Sequence, residues 1–131
     1  MKVVYMLAAL FTVASVAAAQ EPERPKETWE IAEAEADRLQ GVLELEDWQG
    51  FYVDSTLKHD YAQMKLELEK LQTSKVSNPS LYYAVQDKWM EQIDATYMRI
   101  FSDVQWKAYL KSGAAKAQKA RAKRRAEASG Q

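Results

Sequence analysis

The sequence predicts an all-α protein of about four helices. Apolar residues recur at alternating steps of three and four along most of the chain, and neither Pro nor Gly interrupts the stretch from Phe51 to Val76. The breaks that do occur carry helix-start chemistry, at Asn78-Pro79 and at Ser102. With 131 residues the chain fits one small domain, and with 4 Gly it lacks the glycine for a phosphate-cradling loop or a turn-rich all-β fold.

The chain opens on Met1-Lys2, an uncharged run from Val3 to Val16, and Ala17-Ala18-Ala19 ahead of Gln20. A positive start, an apolar stretch too short to span a bilayer and an Ala-x-Ala end form the pattern of a cleavable secretory signal. Residues 1–19 are therefore expected to be removed and residues 20–131 exported. Residues 20–27, QEPERPKE, carry Pro22 and Pro25 with no apolar period, and read as a flexible leader.

A helical domain is expected over residues 28–112. Its first helix starts near Thr28, where Trp29, Ala32, Ala36, Leu39 and Leu43 form a seam opposite Glu30, Glu33, Glu35 and Asp37. Those acids sit toward the helix N-terminus, where the macrodipole favours them. The second helix is expected from about Asp47 to Thr73, roughly 40 Å at 1.5 Å per residue. Its stripe is Val53, Leu57, Tyr61, Met64, Leu68 and Leu71, widened at the start by Trp48, Phe51 and Tyr52. Asn78 is a good N-cap and Pro79 suits the first position of a third helix, whose face carries Tyr82, Val85, Trp89, Ile93, Tyr97 and Ile100. The fourth begins near Asp103 and passes Gly113 into a basic, alanine-rich extension over residues 113–131. That extension favours helix, but without a large apolar residue after Leu110 it is expected to pack poorly or fray.

Charge is divided sharply along the chain. Between Gln20 and Gln105 there are 9 Lys/Arg against 18 Asp/Glu, whereas from Trp106 onward 8 Lys/Arg face Glu127 alone. Such a split concerns partners and orientation rather than fold. The absence of Cys excludes a disulfide scaffold, a Cys-based zinc site and a cysteine nucleophile. His59 is the one imidazole, and with Asp60 or Met64 it makes an incomplete ligand set, so no metal and no cofactor is expected. Asp54, Asp60, Glu67 and Glu69 show no sign of a pair built for acid–base work, and no catalytic residue is assigned. The chain is read as a binding protein, not an enzyme.

Two segments share a pattern: Leu45-Glu46-Asp47-Trp48-Gln49 and Phe101-Ser102-Asp103-Val104-Gln105. In the second, Ser102 can accept the Gln105 amide while the Gln105 side chain returns to the Ser102 amide, a capping box. Phe101 and Trp106 would form its hydrophobic staple. The first copy is weaker, because Glu46 is a poor cap, Gly50 takes the staple position and Asp47 offers a cap one residue later. Together the segments, with the lead-in ADRLQGVLELEDWQ, resemble the LTxxQ-motif family of small periplasmic helical proteins, the Spy and CpxP kind. Glu46 and Ser102 stand where that family has Thr, and Phe101 where it has Leu.

The resemblance implies a thin, cradle-like helical homodimer in the periplasm that holds unfolded client proteins without ATP, or otherwise buffers envelope stress. Leu45, Glu46, Gln49, Phe101, Ser102 and Gln105 would then be structural caps. Adaptable aromatic side chains suit client contact, and Tyr52, Tyr82, Tyr83, Trp89 and Tyr97 are the candidates. The alternative reading is a regulatory or structural envelope protein that restrains a sensor, or meets an anionic membrane or protein surface. Its candidate contacts are Lys116, Lys119, Arg121, Lys123, Arg124 and Arg125. Nucleic acid is not an expected partner, since no aromatic residue beyond Tyr109 is present to stack on bases.

Overall fold

The computed structural model describes residues 24–130. The export signal expected over 1–19 and the start of the leader lie outside the described residues. Every regular element described is helical: α1 Thr28–Leu43, α2 Asp47–Thr73, α3 Pro79–Ile100, α4 Asp103–Tyr109 and α5 Ala115–Ser129. The expected fourth helix is thus split. Leu110–Ala114 forms a wide π-type turn in which Gly113 sits at φ 121°, a backbone angle natural to glycine and strained for other residues.

Each boundary has a local cause. Glu30 reaches back to the Glu27 amide (2.7 Å) and opens α1. The helix closes at Glu44, whose backbone turns left-handed at φ 51° and donates to the Gln40 carbonyl. The Gln40 side chain then crosses to the Leu45 carbonyl, passing over Gly50, where an added Cβ would lie 2.1 Å from the Gln40 amide oxygen. Glu46, rather than Asp47, caps α2, and Asp47 becomes its first residue. Asn78 Oδ1 accepts the Ser80 amide at 3.0 Å to start α3 behind Pro79.

α2 is central: α1 and α3 each pack along it, and α4 closes against α1. The core consists of Ala32, Ala36, Leu39, Leu43, Leu45, Val53, Leu57, Ile93, Tyr97, Phe101 and Tyr109. Alanines at 32 and 36 let α1 approach α2 closely, and the aromatic residues fill the end near α4. Tyr97 stacks on Phe101 (centroids 4.8 Å apart) and meets Tyr109 edge-on at 5.2 Å. Such pairs add about 0.5–1.5 kcal/mol beyond the area they bury. Burial pushes the Tyr97 and Tyr109 hydroxyls far above the usual phenol range.

The core is confined to one end. Along α2 burial ceases after Asp60, and along α3 it begins only at Ile93. The remaining halves of these helices form a two-helix arm whose stripe (Tyr61, Met64, Leu68, Leu71, Tyr82, Val85, Trp89, Met90) is only half-buried.

Candidate functional site

The two cap motifs, 56 residues apart, meet in space. Gln49 Nε2 donates to Gln105 Oε1 at 2.7 Å and Gln105 Nε2 donates back to Gln49 Oε1 at 2.9 Å, a reciprocal amide pair. Each glutamine also closes its own helix start: Gln49 Oε1 accepts the Glu46 amide (2.9 Å), and Gln105 Oε1 accepts the Ser102 amide (2.9 Å). Gln49, 4% exposed, further donates to the Ile100 carbonyl at 2.8 Å, one of the last carbonyls of α3. One buried side chain therefore joins the starts of α2 and α4 to the end of α3. Leu45 and Phe101, the residues preceding the caps, are both in the core.

The candidate client-contact aromatics are distributed among different environments. Tyr97, 1% exposed, belongs to the core and leaves the set, because it is held between Phe101 and Tyr109. Trp89 is half-buried, with its indole N–H on Glu67 (3.1 Å) and Lys88 over its ring. The Tyr82 hydroxyl donates to the Val76 carbonyl (2.6 Å) and tacks down the α2–α3 turn. Tyr83 is exposed on the side of α3 toward α5, under the Arg124 guanidinium. Tyr52 lies outside the arm, at the start of α2 in the core half, in an exposed cluster with Trp48 and Phe51, the latter 68% exposed. Val104, 78% exposed on the first turn of α4, lies at that same end because Gln49 and Gln105 join the two helix starts.

A further apolar surface lies along the arm. Ile31 from α1, Tyr61, Met64 and Leu68 from α2, and Met90 from α3 line an open groove of about 560 Å³, rimmed by Lys65, Glu69, Gln72 and Gln86. Met64 and Leu68 belong to the apolar stripe of α2. Ile31, off the α1 seam, carried no periodic signal. Among the described residues, eleven large apolar side chains are exposed, as many as there are apolar residues in the core. So small a core leaves them uncovered.

As expected, the basic extension is a helix, α5, that packs loosely on the body, and ion pairs rather than apolar contacts hold it. Arg121, 6% exposed, places Nη2 2.5 Å from Asp94 Oδ2, with Gln118 on the same oxygen (3.0 Å) and the Tyr109 hydroxyl on Oδ1 (2.5 Å). Arg124 makes a two-pronged pair with Asp87 (2.7 and 2.8 Å), and Arg125 pairs with Glu91. Arg121, Arg124 and Arg125 therefore face α3 rather than an external anionic surface. Lys116, Lys119 and Lys123 lie exposed on the opposite side. The signal for this pairing is present on α3: Asp87, Glu91 and Asp94 repeat at steps of four and three.

His59 Nδ1 lies 2.7 Å from Asp60 Oδ1, and among the described residues no group of three or more His, Cys, Asp or Glu is placed to hold a metal. No described helix is long and apolar enough to cross a membrane. The chain matches no protein-family model, no curated protein and no solved structure.

Proposed function

We propose that the protein is an exported, periplasmic binding protein that holds unfolded or partly folded envelope proteins without ATP. The observation that carries this reading is the half-covered arm of α2 and α3, with the apolar groove from Ile31 to Met90 along it. Unfolding clients expose apolar segments without a fixed shape. Flexible Met64 and Met90 and amphipathic Tyr61 adapt to such segments, and the charged rim keeps the free protein soluble. A homodimer formed through part of this surface is compatible with the reading, since so small a core gains from further burial.

The test is suppression of aggregation of a thermally or chemically unfolding client by the purified exported chain, with no nucleotide present. Near-stoichiometric suppression is expected. It should fall several-fold in Ile31→Asp and Leu68→Gln variants whose circular dichroism is unchanged. Absence of suppression across a range of salt concentrations rejects the proposal.

The exposed row Lys116, Lys119 and Lys123 supports a second reading, peripheral attachment to an anionic membrane or partner surface. Cosedimentation with anionic vesicles that is lost in a Lys116→Gln, Lys119→Gln, Lys123→Gln variant would favour it. Unchanged cosedimentation removes it.

A further inference from the structure

α5 is an unusual occupant of the surface it covers. It runs antiparallel to α3, since Gln118 and Arg121 reach Asp94 while Arg124 reaches Asp87. Its inward side chains are arginine, glutamine and alanine, and two open spaces remain between the helices. One, of about 370 Å³, lies between Ala122 on α5 and Ala95, Met98 and Trp106. The other, of about 710 Å³, lies between Ala128 on α5 and Tyr83 and Ala84 on α3. Alanine is too small to fill either. The guanidinium of Arg121 is also incompletely used, because its Nε is buried without an acceptor. Gly113, at φ 121° with open space around its Cα, joins this helix to the body.

We propose that the outer face of α3 is a docking site for basic amphipathic helices, and that α5 is its built-in, displaceable occupant. Asp87, Glu91 and Asp94 set the charge pattern, three carboxylates along one helix face that match arginines on an antiparallel partner. The two spaces set the apolar pattern, because large side chains at the positions of Ala122 and Ala128 fill what α5 leaves open. The partner is thus an Arg-bearing helix with bulky apolar residues one position after the first arginine and six positions further on. α5 has the charges without the bulk, so it shields the acidic face while remaining exchangeable about Gly113. This site is separate from the groove of the proposed holding function, and either can fail without the other.

The probe is a labelled peptide of residues 114–129 carrying Ala122→Leu and Ala128→Leu, titrated against the full chain by fluorescence anisotropy. Binding to an Arg124→Glu, Arg125→Glu chain is expected to be tighter than to the parent by about tenfold or more, the gain when a mostly filled site is vacated. Hydrogen exchange on the same sample should show α5 amides deprotected. In the Arg124→Glu, Arg125→Glu background, where α5 no longer competes, adding Asp87→Asn and Glu91→Gln should weaken peptide binding about tenfold, the loss of charge-assisted contacts. The proposal is overturned if the peptide binds the charge-reversed and parent chains equally, or if in the charge-reversed background it ignores the Asp87 and Glu91 changes. It is equally overturned if a control peptide with glutamine for all three arginines binds as well, or if charge reversal leaves α5 fully protected.

Discussion

Replacing Gln49 with alanine should be among the most damaging single polar changes in the molecule. The side chain makes four hydrogen bonds, to the Ile100 carbonyl, the Glu46 amide and both amide atoms of Gln105. Each is worth about 1 kcal/mol net, and more where the orphaned partner stays buried. Glu46 and Gln105 have access to water and recover part of their loss, whereas the Ile100 carbonyl depends on the amide at 2.8 Å. The expected cost of Gln49→Ala is therefore about 2–3 kcal/mol, against a total stability of about 5–15 kcal/mol for a domain. Gln105→Ala leaves Gln49 its bonds to Ile100 and Glu46 but also removes the acceptor of the Ser102 amide, and should cost about 1–2 kcal/mol. Because the two amides bond each other, the double variant should show a coupling of about 1 kcal/mol relative to additivity. Urea unfolding followed by far-ultraviolet circular dichroism measures all four corners of the cycle. A cost below about 0.5 kcal/mol for Gln49→Ala, or strict additivity, would refute the view that this pair joins α2, α3 and α4.

Other perturbations have similarly direct readouts. Ser102→Ala removes the hydroxyl that accepts the Gln105 amide at 3.2 Å and should cost about 1 kcal/mol in the same assay. Arg121→Ala leaves the buried Asp94 with Tyr109 and Gln118 but no opposing charge, and a loss of about 3 kcal/mol is expected, with α5 amides exchanging near the free rate. The Arg24 guanidinium holds the Glu30 carboxyl down from its usual 4.5 to about 2. A carboxyl lowered on folding stabilises above its unfolded value, so this pair should be lost as pH falls from about 4.5 toward 2, with Glu30 and Arg24 resonances moving together in an NMR titration. The raised Tyr97 and Tyr109 hydroxyls have the opposite sign, and their contribution is present below the ordinary phenol range and lost above it. Spectrophotometric titration should find these two ionising only together with unfolding.

The helices were legible because their seams are apolar. Ala32, Ala36 and Leu39, then Val53 and Leu57, then Ile93 and Tyr97 each repeat at helical spacing, and each is in the core. Tyr97 and Trp89 share one such stripe, yet one is buried and the other is not. Spacing assigns a residue to a face, while the position of the core along a helix decides burial. The meeting of Gln49 with Gln105 was hidden for a related reason. Each capping box is complete within five residues, so nothing local announces that the amide atoms left over are used across 56 residues of sequence.

The loose packing of α5 is legible in its lack of large apolar residues, whereas its ion pairing with α3 is not, because that periodicity is written in charge. Arg121, Arg124 and the exposed Arg125 pair with carboxylates of α3, while Lys116, Lys119 and Lys123 lie exposed on the other side, a division that hydropathy does not register. The division has a physical basis. A guanidinium offers a planar fork to a carboxylate and is less strongly hydrated than an ammonium, so it costs less to bring against α3. Ammonium groups are left where water can reach them. The same logic applies to the partner face, where Asp87, Glu91 and Asp94 would repel one another along α3 if nothing basic lay over them. Part of the split between acidic body and basic tail is therefore one contact, three carboxylates of α3 against three arginines of α5. α5 neutralises the acids of α3 without burying an apolar surface of its own, and that leaves it free to exchange for a helix that can do both.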